Sequence, residues 1–424
     1  MQNKLIYKNK TGLSGEITIP ADKSISHRAV MFSSLAKGQT TIENFSKGAD
    51  CHSTLSVFKS LGVEAEFKDD KTLIINSKGL FAPKEDLYCG NSGTTMRLMS
   101  GILAGQEFNS VLTGDASLSK RPMARVIEPL KLMGADITSN ENKAPLKITG
   151  KQLKGIDYDS KLASAQVKSC VLLAGLFADD KTSFKEPHIS RNHTELMLEY
   201  LGANIISEGT TTTVEKSELQ PKTITIVGDI SSAAFFIAAG LVVEDSDITL
   251  KNVGLNPTRT GILDVVEKMG GHVEILDKKI VSNEDVGNLR IKYSQLKGCT
   301  IEGDIIPRLI DELPVIAVLA TQAEGTTIIK DAGDLRNKES DRIKAVVTEL
   351  KKIGANIEET PDGFIIEGKS ALSGGSTVET YHDHRLAMSL YVAGLICEKP
   401  ILINEFDWVN ISFPEFEALM ENLR

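Results

Sequence analysis

An apolar residue followed by glycine recurs along this chain at nearly even intervals. The glycines stand at positions 62, 134, 202, 270 and 354, which leaves intervals of 72, 68, 68 and 84 residues. A chain of 424 residues therefore holds about six units of roughly 70 residues, and a repeat of this length constrains the fold more than any single element does. Each glycine is expected to form the left-handed C-cap of a helix.

Each copy combines strands with two kinds of helix. A short strand-like run opens the copy, as in residues 16–20 and 223–227. An almost wholly apolar run follows, and a helix that is apolar on every side is buried. These runs are residues 29–36, 170–177, 233–243, 313–320 and 386–395. An amphipathic helix such as 342–353 and two strands such as 356–358 and 363–367 complete a β-α-β-α-β-β unit.

The last copy predicts how the chain is divided into domains. It begins near Thr377 and breaks off before its glycine and its final strands. Residues 5–7 and 16–19 resemble strands that precede the first helix, so we expect the N-terminus to complete the last unit. One domain then contains residues 1–20 plus 229–424, the other contains residues 21–228, and each holds three units around buried helices. Two domains also fit the length.

The composition narrows the class of protein. A hydrophobic content of 41% and a charged content of 25% are ordinary for a globular protein. The longest apolar run, residues 233–243, is too short to span a bilayer, and the N-terminus lacks the apolar core of a secretory signal. A net charge of −9 disfavours a general binder of nucleic acid or acidic membranes.

The cysteines indicate a cellular compartment. The five residues are scattered, odd in number and without a CxxC pair. This pattern argues against a disulfide framework and against a zinc site. We therefore expect a cytoplasmic protein.

Polar segments stand where the buried helices begin. A helix N-terminus carries free N–H groups and partial positive charge, so several of them aimed at one region can bind anions. Ser and Thr at these points are also ordinary N-caps. Lys or Arg at a helix start opposes the macrodipole, and several of them together suggest bound anions, while for any one of them alone a solvated charge fits equally well. These cations include Lys23, Arg28, Arg97, Arg121, Lys338 and Arg342.

Other catalytic signatures are weak or missing. His382 and His384 form one H-x-H pair without a third ligand, which does not indicate a metal site. The sequence has neither the G-x-S-x-G elbow of the hydrolases nor a phosphate loop ending in Gly-Lys-Ser or Gly-Lys-Thr.

Six segments resemble the signature sequences of the EPSP synthases, the enolpyruvyl transferases of aromatic amino-acid biosynthesis. They are residues 20–28 (PADKSISHR), 90–97 (GNSGTTMR), 113–115 (TGD), 121–123 (RPM), 338–342 (KESDR) and 383–388 (DHRLAM). The resemblance covers essentially the whole chain. It implies a two-domain inverse α/β barrel of six β-α-β-α-β-β repeats, three in each domain, with the active site in the interdomain cleft.

The resemblance implies transfer of the enolpyruvyl group of phosphoenolpyruvate to the 5-hydroxyl of shikimate 3-phosphate, with release of phosphate. Each phosphate carries about −1.5 to −2 charges and each substrate adds a carboxylate, so the cations suit this chemistry. General acid and base groups suffice for the reaction. No covalent nucleophile, cofactor or metal is expected.

The resemblance also implies roles for single residues. Asp311 would be the hydroxyl base, Glu339 the carbon acid and base, and Lys23 an anchor near the leaving phosphate. The phosphoenolpyruvate ligands would be Lys23, Gly93, Arg121, Gln166, Arg342 and Arg385. The shikimate 3-phosphate ligands would be Lys23, Ser24, Arg28, Ser164, Gln166, Ser190, Asp311, Asp334 and Lys338. The supporting residues would be Asn91, Thr94, Arg97 and His384.

Three positions depart from the family pattern. Ile411 stands where many members have Lys, so one phosphoenolpyruvate contact is absent or supplied elsewhere. His193 stands where some members have Tyr, and Asp334 where some have Asn. Gly93 is retained, and in the family glycine here goes with sensitivity to glyphosate, which we therefore expect.

Related proteins of other function fit less well. The UDP-N-acetylglucosamine enolpyruvyl transferases usually carry a reactive Cys in the loop at residues 113–123, which has none here. The RNA 3′-phosphate cyclases use a covalent His and ATP, for which no matching motif is present. Ring-shaped DNA clamps are also six-unit repeats, but they place cations along helix faces rather than at helix starts. We expect a monomer that binds two small molecules and neither nucleic acid nor membrane.

Overall fold

The computed structural model describes residues 2–424. Its helices are α1 (Lys23–Leu35), α2 (Ala49–Ser60), α3 (Gly93–Ala104), α4 (Ala124–Leu132), α5 (Ala165–Gly175), α6 (His193–Tyr200), α7 (Ile230–Val242), α8 (Gly261–Lys268), α9 (Ile306–Leu309), α10 (Leu313–Gln322), α11 (Arg342–Lys352), α12 (His384–Gly394) and α13 (Phe416–Glu421).

The strands are short. They are β1 (Lys4–Ile6), β2 (Ser14–Thr18), β3 (Gly38–Glu43), β4 (Glu64–Phe67), β5 (Leu73–Ser77), β6 (Leu87–Tyr88), β7 (Asn109–Thr113), β8 (Asp136–Asn140), β9 (Lys143–Thr149), β10 (Asp157–Asp159), β11 (Thr182–Lys185), β12 (Ile205–Glu208), β13 (Thr211–Val214), β14 (Ile224–Thr225), β15 (Asp247–Gly254), β16 (His272–Val281), β17 (Glu284–Lys292), β18 (Thr300–Ile301), β19 (Thr326–Ile329), β20 (Asn356–Thr360), β21 (Gly363–Glu367), β22 (Thr377–Val378) and β23 (Ile401–Ile403).

The chain folds into two compact units. The N-terminal unit contains Ala21–Ile226 and the short segment Val281–Glu284. The C-terminal unit contains the residues up to Pro20, with Val227–Ile280 and Asp285–Arg424. The predicted domain ranges differ from these units at residues 227–228 and 281–284, and the domain division remains a prediction.

The sheets are mixed. Among residues 2–424 there are five sheets of four strands and one of three. In a typical sheet an edge strand lies parallel to its neighbour and the remaining pairs are antiparallel, as in the order β6-β7-β9-β8. The three-stranded sheet has the order β1-β23-β22, with β22 parallel and β1 antiparallel to β23. The fold is therefore of the α/β class.

The N-terminal strands join two different sheets. Lys4–Ile6 pairs with Ile401–Ile403, the strand of the last copy. Ser14–Thr18 (β2) does not join this sheet. It pairs in parallel with β15, with Ile17 beside Leu250. The expectation that residues 16–19 complete the last unit is therefore wrong. The parallel neighbour of β3 is β14, with Ile224 beside Ile42.

The recurring glycines end helices as predicted. Each follows the C-cap of an amphipathic helix, and its φ lies between 78° and 104°. A side chain there would be strained, which explains why glycine recurs. The helices α5, α7 and α10, which lie between these glycines, and α12, which follows the last of them, are buried along most of their length. No helix within residues 2–424 has the length and apolar character needed to cross a membrane.

Candidate active site

Acidic residues cap the three buried helices of the C-terminal unit. Asp229 precedes α7, Glu312 precedes α10 and Asp383 precedes α12. Each carboxylate lies near an arginine: Asp229 near Arg259 at 3.1 Å, Glu312 near Arg385 at 3.9 Å and Asp383 near Arg342 at 2.7 Å. A carboxylate at a helix N-terminus is stabilised by the helix dipole. These three carboxylates therefore provide counter-charges for Arg259, Arg342 and Arg385.

Arg342 is the centre of one cluster, which we call the C-terminal cluster: Asp311, Lys338, Glu339, Arg342, Asp383 and Arg385. The Arg342 side chain is only 1% exposed. Its Nε donates to Asp383 Oδ2 at 2.7 Å, and its Nη2 donates to Glu339 Oε2 at 2.6 Å. Its Nη1 donates to Asp311 Oδ1 at 3.2 Å. One guanidinium thus orients three carboxylates.

Two further cations approach Asp311. Lys338 Nζ lies 3.4 Å from Asp311 Oδ1, and Arg385 Nη2 lies 3.9 Å from Asp311 Oδ2. Arg385 Nη1 also donates to the main-chain oxygen of Asp311 at 3.4 Å. The predicted base therefore lies beside three cations.

The cations dominate the titration of Glu339. Burial alone would raise the pKa of this carboxyl, but the charges of Arg342, His384 and Lys338 outweigh burial and hold the pKa well below its usual range. The carboxylates in turn raise the pKa of Arg342, although burial opposes this. Burial also acts to raise the pKa of Asp383, and Arg342 again lowers it. Glu339 is therefore ionised near neutral pH.

A second polar network begins at Glu312, whose Oε1 lies 3.9 Å from Arg385 Nη1. Glu312 is 1% exposed and accepts a hydrogen bond from Ser231 Oγ. Arg259 Nη2 donates to the same hydroxyl at 2.7 Å and to Asp229 Oδ1 at 3.1 Å. The repeat explains this network, because Arg259 stands just before α8 as Arg342 stands at the start of α11. We did not predict Glu312 or Arg259 as site residues.

We call six predicted residues of the N-terminal unit the N-terminal cluster. Asn91, Gly93, Arg97, Arg121 and Gln166 are linked by contacts, and Lys23 belongs to the same unit. Lys23 begins α1, and its Nζ lies 3.0 Å from Asp50 Oδ2. Arg121 Nη2 donates to Asn91 Oδ1 at 2.6 Å, and Asn91 Nδ2 donates to Asp115 Oδ2 at 2.7 Å. Asp115 thus orients the amide that holds Arg121.

Gly93 lies against two arginines at the start of α3. A Cβ placed on Gly93 would be 2.8 Å from Arg97 Nη1 and 3.5 Å from Arg121 Nη1. Arg97 Nη1 donates to Gln166 Oε1 at 2.7 Å, and Gln166 Nε2 donates to Thr94 Oγ1 at 3.1 Å. Gly93, Thr94, Arg97 and Gln166 therefore lie together with Arg121 in the N-terminal unit.

The predicted residue Arg28 is 3% exposed, deeper than a surface ligand would be. Its Nε donates to Thr194 Oγ1 at 2.7 Å, its Nη2 to Ser169 Oγ at 2.8 Å and its Nη1 to the carbonyl of Ser24 at 3.0 Å. These contacts join the starts of α1, α5 and α6. Arg28 therefore also has a structural role.

Other predicted residues stand at loops and caps. Ser164 is the N-cap of α5, and its side chain makes no capping hydrogen bond. Ser190 is 4% exposed in the loop before α6. Asp334 is exposed in a short 3₁₀ helix, Gly333–Asn337, that ends just before Lys338. His384 is the first residue of α12 and is 6% exposed.

The departures from the family pattern have defined positions. Ile411 ends a 3₁₀ helix, Phe406–Ile411, and is half-buried. His193 is 2% exposed, and its Nδ1 lies 2.7 Å from Glu284 Oε1 within the N-terminal unit. A buried hydrogen-bond partner of this kind fits a structural role for His193.

The chain matches a family model over nearly its whole length. The model is described as EPSP synthase (3-phosphoshikimate 1-carboxyvinyltransferase) and matches residues 7–420. A 3-phosphoshikimate 1-carboxyvinyltransferase of Thermoanaerobacter sp. (strain X514) is 53% identical over 420 residues, covering 98% of this chain and 99% of that protein. The one of Bacillus licheniformis is 52% identical over 419 residues, covering 97% and 98%.

Solved structures agree with the sequence comparison. The EPSP synthase from Acinetobacter baumannii matches with a TM-score of 0.91 and 43% identity, covering 100% of this chain and 98% of that chain. The enolpyruvyl transferase NikO from Streptomyces tendae matches with a TM-score of 0.80 over 99% of this chain and 97% of that chain, but at 16% identity it supports the fold alone. With a family model and relatives of this identity covering almost every residue, the chain belongs to the EPSP synthase family.

Proposed function

We propose that this chain transfers the enolpyruvyl group of phosphoenolpyruvate to the 5-hydroxyl of shikimate 3-phosphate, yielding 5-enolpyruvylshikimate 3-phosphate and phosphate. It acts as a 3-phosphoshikimate 1-carboxyvinyltransferase of the shikimate pathway, in aromatic amino-acid biosynthesis. One observation carries the proposal beyond family membership. A buried guanidinium, that of Arg342, holds the Asp311 and Glu339 carboxylates at 3.2 and 2.6 Å, and proton transfer requires two such groups.

The two clusters place cations that can contact the negatively charged groups of the substrates. Two phosphates and two carboxylates together bring about five or six negative charges. The N-terminal cluster supplies Lys23, Arg97 and Arg121, and the C-terminal cluster supplies Lys338, Arg342 and Arg385. Since guanidinium groups bind phosphate and carboxylate oxygens through paired N–H donors, these residues suit small dianionic substrates.

We assign phosphoenolpyruvate to a set of residues that includes three arginines. Its ligands are Lys23, Gly93, Arg121, Gln166, Arg342 and Arg385. Gly93 leaves open the space before Arg97 and Arg121 that a methyl group would fill. Asn91, Thr94 and Arg97 support these ligands, because they hold Arg121 and Gln166 in place. His384 supports Glu339 by its charge.

We assign shikimate 3-phosphate to a mixed set of hydroxyl, amide, cationic and carboxylate side chains. Its ligands are Lys23, Ser24, Arg28, Ser164, Gln166, Ser190, Asp311, Asp334 and Lys338. Ser164 keeps its hydroxyl out of a capping bond, and Lys338 lies beside the base that would take the hydroxyl proton. These features support the assignment.

The proposed reaction is an addition followed by an elimination. In the addition, Asp311 takes the proton of the 5-hydroxyl, the oxygen bonds to the second carbon of phosphoenolpyruvate, and Glu339 gives a proton to the methylene carbon. In the elimination, Glu339 takes a proton back from the new methyl group, and the C–O bond to phosphate breaks. Phosphate leaves with the electron pair beside Lys23 and takes up the proton held by Asp311. No covalent intermediate with the protein forms.

Glu339 can serve both proton transfers because a bound anionic substrate raises its pKa. In the ligand-free protein the cations lower this pKa, so the group is ionised. Anionic substrate beside Arg342 and Lys338 offsets those cations and raises the pKa. Glu339 can then take up from solvent the proton that it delivers to carbon, and this delivery leaves it ionised to act as the base of the elimination. Once the products have left, the cations lower its pKa again and its proton returns to solvent.

The finer architecture and setting are part of the same proposal. We assign the fold to the two-domain inverse α/β barrel of six repeats, and the repeated pattern of mixed sheets supports this. A monomer in the cytoplasm, with no nucleic-acid or membrane partner and no metal or cofactor, remains the prediction from the sequence. Sensitivity to glyphosate and the location of the active site in the interdomain cleft also remain predictions.

Phosphate release tests the proposed function. Purified protein is mixed with phosphoenolpyruvate and either shikimate 3-phosphate or UDP-N-acetylglucosamine, in the presence of a chelator and without added metal. We expect release with shikimate 3-phosphate alone. Release with UDP-N-acetylglucosamine alone, or with neither acceptor, would contradict the proposal. A protein denatured before the assay provides the blank.

A further inference from the structure

A buried lysine lies behind the loop that carries Ser190. Lys168 is 2% exposed in the first turn of α5. Its Nζ lies 2.7 Å from Glu186 Oε1 and 2.7 Å from Glu195 Oε1. Glu186 follows β11, and Glu195 lies in the first turn of α6. One ammonium group thus ties together the three elements around this loop.

Two of these charged groups hold the main chain of Ser190 on both sides. Glu186 Oε1 accepts a hydrogen bond from the Ser190 N–H at 2.9 Å. Lys168 Nζ donates to the Ser190 carbonyl at 3.2 Å and to Glu186 at 2.7 Å. We call Lys168, Glu186 and Ser190 the Ser190 clamp. Hydrogen bonds to charged groups are stronger than neutral ones, so the clamp fixes where the Ser190 side chain begins.

The hydroxyl of Ser190 is left for another partner. Ser190 is 4% exposed, and its Oγ makes no hydrogen bond to any part of the chain that the structure describes, residues 2–424. A buried hydroxyl without a partner is costly, and most such groups in proteins are satisfied. Ser164 and Gln166, two of the residues assigned to the acceptor, lie at the start of the same helix as Lys168.

We infer that Lys168 and Glu186 are positioning residues for acceptor binding, acting through Ser190. They hold its main chain so that the hydroxyl donates to an anionic oxygen of the acceptor. This inference rests on the proposed function, since it takes Ser190 as a ligand of shikimate 3-phosphate. It adds that the affinity for the acceptor, and not that for phosphoenolpyruvate, depends on a lysine and a glutamate that touch neither substrate.

The variant that tests the clamp is Glu186→Ala. It removes the acceptor of the Ser190 N–H, and Lys168 keeps Glu195 as a counterion at 2.7 Å. The buried ammonium is therefore not left unpaired, and we expect the protein to fold. Glu186→Gln retains an oxygen that can accept from Ser190 and should restore part of the affinity. Glu199→Ala, an exposed glutamate on α6, is the matched control.

The experiment is a double-mutant cycle read by calorimetric titration with shikimate 3-phosphate. Ser190→Ala is expected to weaken binding about tenfold, the effect of one hydrogen bond to a charged group. Glu186→Ala is expected to weaken it by a similar factor in the wild type, but by less than about twofold in the Ser190→Ala background. The KM for phosphoenolpyruvate should stay within about twofold of wild type in every variant, a difference well below one hydrogen bond.

Each outcome has a definite meaning. If Ser190→Ala leaves binding unchanged, Ser190 is not an acceptor ligand, and both this inference and that assignment fail. If Ser190→Ala weakens binding but Glu186→Ala does not, the assignment stands and the clamp is wrong. Equal effects of Glu186→Ala with and without the Ser190 hydroxyl, or equal losses of affinity for both substrates, would also overturn the clamp, because they indicate a general structural defect.

Discussion

Arg342 illustrates what one buried residue does for the chemistry. Its guanidinium bonds to Asp311, Glu339 and Asp383, and the side chain is 1% exposed. A fully buried cation is costly unless it is paired and hydrogen-bonded, and here three carboxylates meet that requirement. The same bonds fix the positions of Asp311 and Glu339, the two groups proposed to move protons. The contacts that stabilise buried Arg342 therefore also position the catalytic groups.

Glu339→Gln should remove turnover without unfolding the protein. The amide keeps the size of the side chain but cannot donate or accept a proton on carbon. We expect kcat to fall by about 10² to 10⁴, the usual contribution of a general acid or base. Steady-state phosphate release measures this loss. Glu358→Gln, an exposed glutamate on β20, should retain full activity, and near-normal turnover of Glu339→Gln would disprove the assigned role.

The lowered pKa of Glu339 predicts how acid affects stability. A group whose pKa is lower in the folded state stabilises the fold above its unfolded value, about 4.3, and loses that effect as the pH falls through the folded value. Wild type should therefore be more stable than Glu339→Gln between pH 5 and 7. The difference should shrink steadily below about pH 4.3. Urea unfolding at several pH values measures it, and a difference that grows on acidification would refute the prediction.

Gly93→Ala should weaken phosphoenolpyruvate binding. The added methyl would lie 2.8 Å from Arg97 Nη1, the end of a flexible side chain, so Arg97 must move away from Gln166. We expect the KM for phosphoenolpyruvate to rise about tenfold, a free energy near 1.4 kcal/mol. Alanine is a better helix former than glycine, so the melting temperature should not fall. An unchanged KM would show that the methyl group is accommodated without cost to binding.

At the scale of elements, the start of α12 links stability to the site. Asp383 is fully buried and caps the helix by accepting from the Arg385 N–H at 2.9 Å. The same carboxylate pairs with Arg342 at 2.7 Å and accepts from Ser340 Oγ at 3.1 Å. Because the cap and the ion pair share one carboxylate, the orientation of α12 and that of Arg342 depend on each other.

Asp383→Asn should lower the free energy of unfolding by about 3 kcal/mol, because it leaves a buried charge short of one partner. Asn remains a good cap, so the loss reports the ion pair. The matched variant is Asp341→Asn, the cap of α11, whose side chain is 37% exposed. It should cost less than about 1 kcal/mol. Chemical denaturation compares the free energies of unfolding of the two variants. Equal losses would show that the buried ion pair of Asp383 stabilises the fold no more than the exposed contacts of Asp341.

The periodicity of the sequence predicted the local structure well. The glycines adopt positive φ after their helices, and the apolar runs are buried helices, because both depend on residues near one another in the chain. The partner of β2 was predicted wrongly, since the pattern of a strand shows which face is buried but not which distant strand lies beside it.

The candidate site was predictable only in part. Lys23, Arg121 and Arg342 stand in recognisable segments at helix starts. Lys168 and Glu186 were missed, because their role depends on tertiary contacts. The loop between β11 and α6 must fold onto the start of α5 before these two side chains can bond to Ser190. The repeat did contain a signal for Arg259, which stands where Arg342 stands in another copy. That signal indicated the position but not the partner.

At the scale of the whole molecule, residues far apart in sequence complete the same sheets. β1 pairs with β23, and β2 pairs with β15. Ile6 is 1% exposed, and it packs so closely on α12 that a Cβ on Gly394 would lie 2.7 Å from Ile6 Cγ2. The N-terminal residues are therefore part of the core of the C-terminal unit.

Ile6→Ala should destabilise the C-terminal unit by about 2 to 5 kcal/mol, the usual range for deleting a buried aliphatic side chain. Leu5→Ala provides the control, because Leu5 lies on the same strand and is 44% exposed. Differential scanning calorimetry follows both variants. A melting temperature of Ile6→Ala equal to that of Leu5→Ala would mean that β1 contributes little to the unit.

The pairing of β1 with β23 has a consequence during synthesis on the ribosome. Lys4 pairs with Ile403, so β1 leaves the ribosome roughly 400 residues before its partner strand, about 20 to 80 s at ordinary elongation rates. The segment from Ala21 to Ile226 emerges long before that. The nascent chain must therefore hold an unpaired strand while later residues are translated, and chaperones that bind exposed apolar segments have their longest opportunity there.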